Sequence, residues 1–274
     1  TGTINYNHTA LFYCTGAGLG SVVGGGVTGV LTKGDSTLTF TTTPSVVAGD
    51  LITVRNTIDY SWQGTKDYNK QGEFCVVKSI AGNVVTLQSK LLDTYPSTAT
   101  INVVSTTTNS IRNLKILMNN TQVTTYPAIK IVYGRSVVVE NVIINEMSSR
   151  GISFNNVYRG SIKNVVTSKS TNDTVEESNG VLITSSQHCH VTDCLLQAQS
   201  HGISITGGDD VVSRFNSITH SHISSNALWA VDLGHGSQEY CSARFNTISN
   251  GVQMGGQHNE CTDNIIYQGA STGN

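Results

Sequence analysis

The chain has 274 residues and a formal net charge of −2, and only 12% of its residues are charged, against about 25% in ordinary domains. That balance leaves no basic footprint for nucleic acid, and no apolar stretch reaches the ~18 residues that a membrane-spanning helix needs. With 27 glycines and three prolines, the composition argues against long ion-paired helices and for a strand-rich fold.

Residues 1–35 are glycine-rich, with Gly16-Ala17-Gly18 and Gly24-Gly25-Gly26 supplying backbone freedom that other residues lack, and read as irregular early turns. No signal peptide is recognisable at the start. Residues 36–104 carry strand-like runs, Leu38-Thr39-Phe40, Leu51-Ile52-Thr53-Val54, Phe74-Cys75-Val76-Val77 and Val84-Val85-Thr86-Leu87. Turns at Ala48-Gly49-Asp50 and Ala81-Gly82-Asn83 make this a small antiparallel β-subdomain inserted near the N-terminus. Within it, residues 68–74 read as a solvated loop.

From about residue 105 the pattern changes. A branched apolar residue, an outward residue and another apolar residue recur after a small one: Ala128-Ile129-Lys130-Ile131, Gly151-Ile152-Ser153-Phe154, Gly180-Val181-Leu182-Ile183, Gly202-Ile203-Ser204-Ile205, Ala230-Val231-Asp232-Leu233 and Gly251-Val252-Gln253-Met254. A second column runs through Asn113, Asn141, Asn164, Cys194, Asn216, Asn246 and Asn264. A repeat of about 20 to 30 residues with period-two alternation inside it selects a β-solenoid over helical repeats. Residues 105–274 are therefore expected to wind as a right-handed parallel β-helix, the hand following from that of β-crossovers. Buried asparagines at a bend would bond the coils above and below. The six cysteines form no CxxC pair and no metal-ligand spacing and read as small buried thiols made in a reducing cell interior.

In such a solenoid, coils lie about 4.8 Å apart, so residues at equivalent positions become neighbours. Pro127, Arg150, Asn179, His201, Trp229 and Asn250 would stack just before the small-residue column, and Lys130, Ser153, Leu182, Ser204, Asp232 and Gln253 would form the outward column beside it. Candidate catalytic residues are His201, Asp232, Arg150, His235 and Glu177. Candidate substrate-binding residues are Trp229, Asn179, Lys130 and Ser204. A tryptophan offers a flat face to a sugar ring, an arginine pairs bidentately with a carboxylate, and a histidine moves protons near neutral pH. Taken singly, each is also an ordinary structural residue. Loops expected at 165–179, acidic through Asp173, Glu176 and Glu177, and at 217–229 would wall the groove. The sequence demands no cofactor and no metal.

The segments Gly49-Asp50-Leu51-Ile52, Lys70-Gln71-Gly72-Glu73-Phe74, Gly82-Asn83-Val84-Val85-Thr86-Leu87 and Leu91-Leu92-Asp93-Thr94-Tyr95 resemble an insertion in pectate-lyase-like β-helices of bacteriophage tail spikes, and the later coils are similar to the same proteins. The resemblance implies a homotrimeric depolymerase that binds and cuts bacterial surface polysaccharide, located on the virion or outside the cell after synthesis in the host cytoplasm. It also implies that the chain is a fragment of a longer protein, because the helix cap and trimerisation parts usual in that family are not recognisable. Trp229-Ala230-Val231-Asp232-Leu233-Gly234-His235-Gly236 resembles the aspartate–histidine motif of alginate epimerases and related lyases, with one extra residue that alternation would turn to the opposite face. Ser200-His201-Gly202 resembles the glycine-histidine-glycine motif of polygalacturonase-like hydrolases, but Ser178-Asn179 stands where that family places paired aspartates.

Three functions follow as expectations. In β-elimination, Arg150 would neutralise a uronate, His201 or His235 would remove the α-proton, and a tyrosine or histidine would protonate the leaving oxygen. Hydrolysis would need two carboxylates, Asp232 with Glu177 or Asp209 and Asp210 with Glu239. A non-catalytic adhesin would use the same aromatic and polar ladders to hold glycan. β-Elimination is slightly favoured among them.

Overall fold

A computed structural model describes residues 10–61, 69–118, 126–147, 149–169 and 178–267, and every regular element among them is a β-strand. Strands Phe12–Thr15, Ile129–Val132, Ile152–Asn155, Asn179–Thr184, His201–Thr206, Val231–Leu233 and Val252–Met254 lie side by side in one parallel sheet. Its register aligns Ile129, Ile152, Val181, Ile203, Val231 and Val252. The small-residue column of the sequence thus winds as a parallel β-helix.

The opposite wall is a second parallel sheet. The long strands Ser110–Leu117, Val138–Met147 and Ser161–Lys169 form its first rungs. In later coils each is replaced by two short strands, such as His190–Thr192 with Leu195–Ala198 and Ser217–Thr219 with His222–Ser225. Branched side chains from both sheets close on one another: Ile129, Ile131, Phe154, Val181, Ile183, Ile203, Ile205, Val139, Ile162 and Ile218 belong to a single buried core. Alternation dictates this, since every second residue of a strand faces the interior.

Two corners turn the coil, and both use residues in the left-handed region without glycine. At the first stand Ser136, Arg159, His188, Phe215, Tyr240 and His258, with φ between 53° and 61°; at the second, Asn113, Asn141, Asn164, Asp193, His220, Phe245 and Asp263, with φ between 50° and 56°. A strained angle repeated rung after rung is held by the parallel pairing on both sides of it. The asparagine column expected from the sequence is divided by these corners. Asn113, Asn141 and Asn164 are exposed and form a ladder, Asn141 Nδ2 donating to Asn113 Oδ1 at 3.0 Å and Asn164 Nδ2 to Asn141 Oδ1 at 2.8 Å. Cys194, Asn246 and Asn264 sit one residue later, inside the same corner. Asn216 belongs to the first corner instead, where its Oδ1 accepts the Cys189 N–H at 2.9 Å and its Nδ2 donates to Ser186 O.

The shift has a local cause. In that coil the extra segment 207–212 lengthens the run before the first corner, so Asn216 comes where earlier coils reach their second corner. The expected loop at 217–229 is consequently occupied over much of its length by a pair of strands, Ser217–Thr219 and His222–Ser225. The stretch 170–177 of the other expected loop, with Asp173, Glu176 and Glu177, lies outside the described residues.

The N-terminal region forms a six-stranded antiparallel sheet around its own core of Val23, Leu38, Phe40, Ile52, Val54, Val77, Val85 and Tyr95. The sheet includes Gly18–Val22, which pairs with Thr100–Ser105. Gly49 and Gly82, at φ 95° and 61°, make the turns expected of them. The solvated loop expected at 68–74 is corrected by strand Lys70–Ala81, in which Gln71, Gly72, Glu73 and Phe74 are buried; Tyr68 lies outside the described residues. The burial comes from the solenoid. Segment 207–212 docks on this strand, Lys70 N–H donating to Gly208 O at 3.0 Å and Val212 N–H to Gly72 O at 2.9 Å. A Cβ on Gly72 would collide with the Asp210 carbonyl.

Charged groups fasten the same seam. Arg55 pairs with Asp210 at 3.0 Å, and Asp210 also accepts from Tyr133 and Asn156. Arg214 is wholly buried between Asp93 of the antiparallel unit, at 2.5 Å, and Glu239 of the solenoid, at 2.8 Å. Tyr60 donates within the same group to Asp93 or Glu239, each at 3.1 Å. All six cysteines are free; four are buried, and Cys14 and Cys261 are half-buried.

Candidate functional site

The outward column of the first sheet is aligned as its spacing requires: Lys130, Ser153, Leu182, Ser204, Asp232 and Gln253 are successive Cα partners. Asp232 is the middle residue of Val231–Leu233, and the next coil and the adjoining loop leave it only 1% exposed. Its charge is met by three donors. Ser204 Oγ reaches Oδ2 at 2.8 Å, the Gly234 N–H reaches Oδ1 at 2.8 Å, and His235 Nδ1 donates to Oδ2 at 2.7 Å.

Strand alternation assigns His235 to the other face, but the strand has already ended. The chain bends through Gly234, His235 and Gly236, the last at φ 116°, and brings the imidazole back over Asp232. The His235 side chain remains 39% exposed, so one ring nitrogen is tied to the carboxylate and the other is directed away from it.

His201 opens strand His201–Thr206 and is buried. Its Nδ1 lies 2.7 Å from the carbonyl of Trp229, one coil on, and its Nε2 is 4.0 Å from Asp232 Oδ2. A carbonyl only accepts, so Nδ1 carries the hydrogen of that bond. The rings of His201 and His235 are 6.0 Å apart, inclined at 61°. Burial pushes the Asp232 carboxyl up, but the hydrogen bond from His235, the nearness of both imidazoles and the Gly234 N–H outweigh it and hold the group below its ordinary value. Asp232 is a fixed anion at neutral pH.

Trp229 is 48% exposed beside this group, and its ring lies against Gly251, where an added Cβ would touch it. Asn179 is the Cα partner of His201, and its buried Oδ1 has no hydrogen-bond partner among the described residues. Arg150 stands one rung beyond Asn179, about 10 Å from His201 at 4.8 Å per rung. Lys130 is in the correct column but four rungs from Asp232, about 19 Å away, with its ammonium over the Tyr13 ring at 5.8 Å. Of the sequence candidates, then, His201, Asp232, His235, Ser204, Trp229 and Asn179 come together, Arg150 flanks them, Lys130 does not join them, and Glu177 lies outside the described residues.

Two further features escape a reading by small-residue spacing. One is a column of stacked rings at the first corner, His188, Phe215, Tyr240 and His258, with centroids 5.0, 5.3 and 4.7 Å apart. Its signal is an aromatic residue just before Cys189, Asn216, Cys241 and Asn259. The other is a pocket of about 200 Å³ between the antiparallel unit and the solenoid, lined by Tyr60, Ser61, Glu239 and Gln257 among others. Its acid, Glu239, is bound to Arg214.

Residues 18–106 match the family model of the tailspike protein-like Ig-like domain. No curated protein matches the chain. Among solved structures, the tailspike protein gp49 of Pseudomonas phage LKA1 superposes with a TM-score of 0.77 at 22% identity, over 95% of this chain and 45% of its own. The tailspike gp61 of Pseudomonas phage phi297 gives 0.81 at 21%, over 94% and 44%. The Gp54 tailspike of Acinetobacter baumannii bacteriophage AP22, solved in complex with A. baumannii capsular saccharide, gives 0.63 at 18%, over 93% and 47%. The chain thus spans less than half the length of each. Residues 18–106 are a tailspike-type Ig-like domain, joined to a β-helix that has the fold of phage tailspikes.

Proposed function

We propose that this chain is the glycan-binding and glycan-cleaving region of a phage tailspike, acting on a bacterial surface polysaccharide by β-elimination at His235 and Asp232. The observation that carries the reading is the buried, ionised Asp232 holding Nδ1–H of a partly exposed histidine beside an exposed tryptophan. The carboxylate fixes the imidazole tautomer, so Nε2 of His235 keeps a lone pair and faces outward to take the proton α to a uronate carboxyl, and the imidazolium so formed returns that proton to the glycosidic oxygen as its bond to the β carbon breaks. His201, buried and bonded to the Trp229 carbonyl, positions Trp229. Arg150 neutralises the uronate, and Asn179 Oδ1 accepts a sugar hydroxyl. The solved capsular saccharide complex of a tailspike with this fold supports the substrate class. Homotrimer assembly and a place on the virion belong to the same proposal.

Elimination needs only an ionised orienting carboxylate beside the base, and Asp232 is held ionised. A glycoside hydrolase needs a protonated carboxyl as well, and the expected partner for Asp232 in that role, Glu177, lies outside the described residues. Asp210 is paired with Arg55, and Glu239 with Arg214, so both serve as ties across the seam. Incubation with capsular polysaccharides and lipopolysaccharides should yield shorter chains carrying the ultraviolet absorbance of an unsaturated uronate. Shorter chains without that absorbance would make the protein a hydrolase. Tight binding without shortening would make it an adhesin.

A further inference from the structure

Beyond its proposed role in proton transfer, the His201, Asp232 and His235 group has the composition of a metal-ligand set. One donor atom from each of the three lies within 4.8 Å of the other two. We propose that these residues bind one divalent transition-metal cation of the zinc class, and that the bound cation blocks the Asp232–His235 pair.

The case begins with the tautomer of His201. Because Nδ1–H is spent on the Trp229 carbonyl at 2.7 Å, the neutral ring has only a lone pair at Nε2, and that nitrogen faces Asp232 Oδ2 at 4.0 Å. Two electron-pair donors opposed across such a gap are both satisfied by a cation between them. A histidine fixed through one nitrogen to a backbone carbonyl, with the other nitrogen free, is the usual arrangement of a metal-ligating imidazole. Asp232 has outer support of the same kind from the Ser204 hydroxyl and the Gly234 N–H.

The third donor is the adjustable one. His201 and Asp232 are buried in the strand array, whereas His235 sits on the bend before Gly236 and is the most exposed of the three. Donors at about 2.1 Å from a tetrahedral ion lie roughly 3.4 Å apart, so His201 Nε2 and Asp232 Oδ2, now at 4.0 Å, must close by about 0.6 Å, and His235 Nδ1 and Asp232 Oδ2, now at 2.7 Å, must open by about 0.7 Å; rotation of His235 supplies the second and a slight tilt of the two buried side chains the first. Its approach from the groove side leaves the fourth position for water. Two imidazoles and one carboxylate suit zinc, cobalt or a similar ion, and do not suit calcium or magnesium, which prefer more oxygen ligands. The cation takes the place of the hydrogen shared between His235 and Asp232, which passes to Nε2 of the same ring, so an occupied site has no lone pair left there to act as the base.

This inference stands whether or not the chain cleaves glycan, and its test reads metal, not activity. The untagged protein, freed of metal by a chelator and with thiols blocked, is titrated with Co²⁺ and then with Zn²⁺ in competition. We expect one equivalent of Co²⁺ to give visible d–d absorption of a tetrahedral nitrogen and oxygen site, and Zn²⁺ to remove it. His235→Ala should weaken binding by about 100-fold or more and Ser204→Ala by about tenfold, while His220→Ala, at the opposite corner, leaves it unchanged. His235→Ala changes a partly exposed residue on a bend, and its thermal melting curve confirms folding. Absence of a saturable cobalt spectrum, or a spectrum that survives His235→Ala, would overturn the proposal. If glycan cleavage does occur, Zn²⁺ at one equivalent should suppress it in the parent protein.

Discussion

Replacing Arg214 by methionine should loosen the joint between the Ig-like domain and the solenoid more than any other single change at that seam. The guanidinium is 0% exposed and donates to Glu239 at 2.8 Å and to Asp93 at 2.5 Å. Burial works against its charge, but the two carboxylates outweigh that and hold it firmly protonated. Methionine keeps most of the volume and leaves two buried carboxylates that share Tyr60 and have no counter-charge. Removing one partner of a buried ion pair costs about 3–5 kcal/mol. For a chain of this size each kcal/mol lowers Tm by about 2–4 °C, so thermal denaturation should show a fall of roughly 6–20 °C. Neutralising the acids as well, in Arg214→Met with Asp93→Asn and Glu239→Gln, should restore most of it, because the cost lies in the orphaned charges and not in the lost contact. Arg214→Met melting within 2 °C of the parent, or a triple variant no better than the single one, would refute the reasoning.

Glu73 makes stability depend on pH. Burial, opposed by Arg214 and by the Leu92 N–H, raises its carboxyl from 4.5 to about 7, so between those values the folded chain holds a proton that the unfolded chain releases. Its contribution is present in full below about pH 4.5 and is lost as pH rises through about 7, at roughly 1.4 kcal/mol per unit and about 3 kcal/mol in all. The stability of Glu73→Gln relative to the parent should therefore improve steadily from pH 5 to pH 7; a constant difference in denaturant titrations across that range contradicts the assignment. Asp232→Asn should lower glycan cleavage by about 10³-fold or more while leaving glycan binding in place, since an orienting carboxylate beside a catalytic histidine has an effect of that order; full activity in end-group assays would remove Asp232 and His235 from the mechanism. Trp229→Ala should weaken binding of the intact polysaccharide about tenfold, about 1.4 kcal/mol, measured by calorimetry with the Asp232→Asn protein, and unchanged affinity would take the indole out of the binding surface. Gly72→Ala should destabilise the fold by about 1–3 kcal/mol, because a methyl there meets the Asp210 backbone carbonyl, and a neutral effect in denaturant unfolding would mean that the seam yields easily.

What the sequence made legible follows from which constraints are local. The column through Ile129, Ile152, Val181, Ile203 and Val231 could be read because alternation and a preceding small residue mark each rung independently. The asparagine column mixed two roles: Asn113, Asn141 and Asn164 adopt positive φ on the outside, while Asn216 and Asn246 are buried and bond the preceding coil. One letter served two geometries, and segment 207–212 then displaced the corners by changing one coil's length. The nearness of Asp232 to His201 was legible from stacking. The return of His235 to Asp232 was not, since alternation carries no information once a strand ends. The burial of residues 70–74 was hidden for a different reason: their partners are remote, Glu73 accepting from Leu92 and Tyr95, and Gly72 facing Asp210. Arg214 and Asp93 are 121 residues apart, and no periodicity links them.

The two left-handed corners separate the winding of this protein from its decoration. At the second corner the same backbone angle is met in turn by Asn164, Asp193, His220, Phe245 and Asp263, so an amide, a carboxylate, an imidazole and a phenyl ring all ride on an unchanged path. Such edges behave as rails with interchangeable fittings. Mutations there can rewrite what the outer surface presents, rung by rung, while the interior that keeps the spiral closed is left alone.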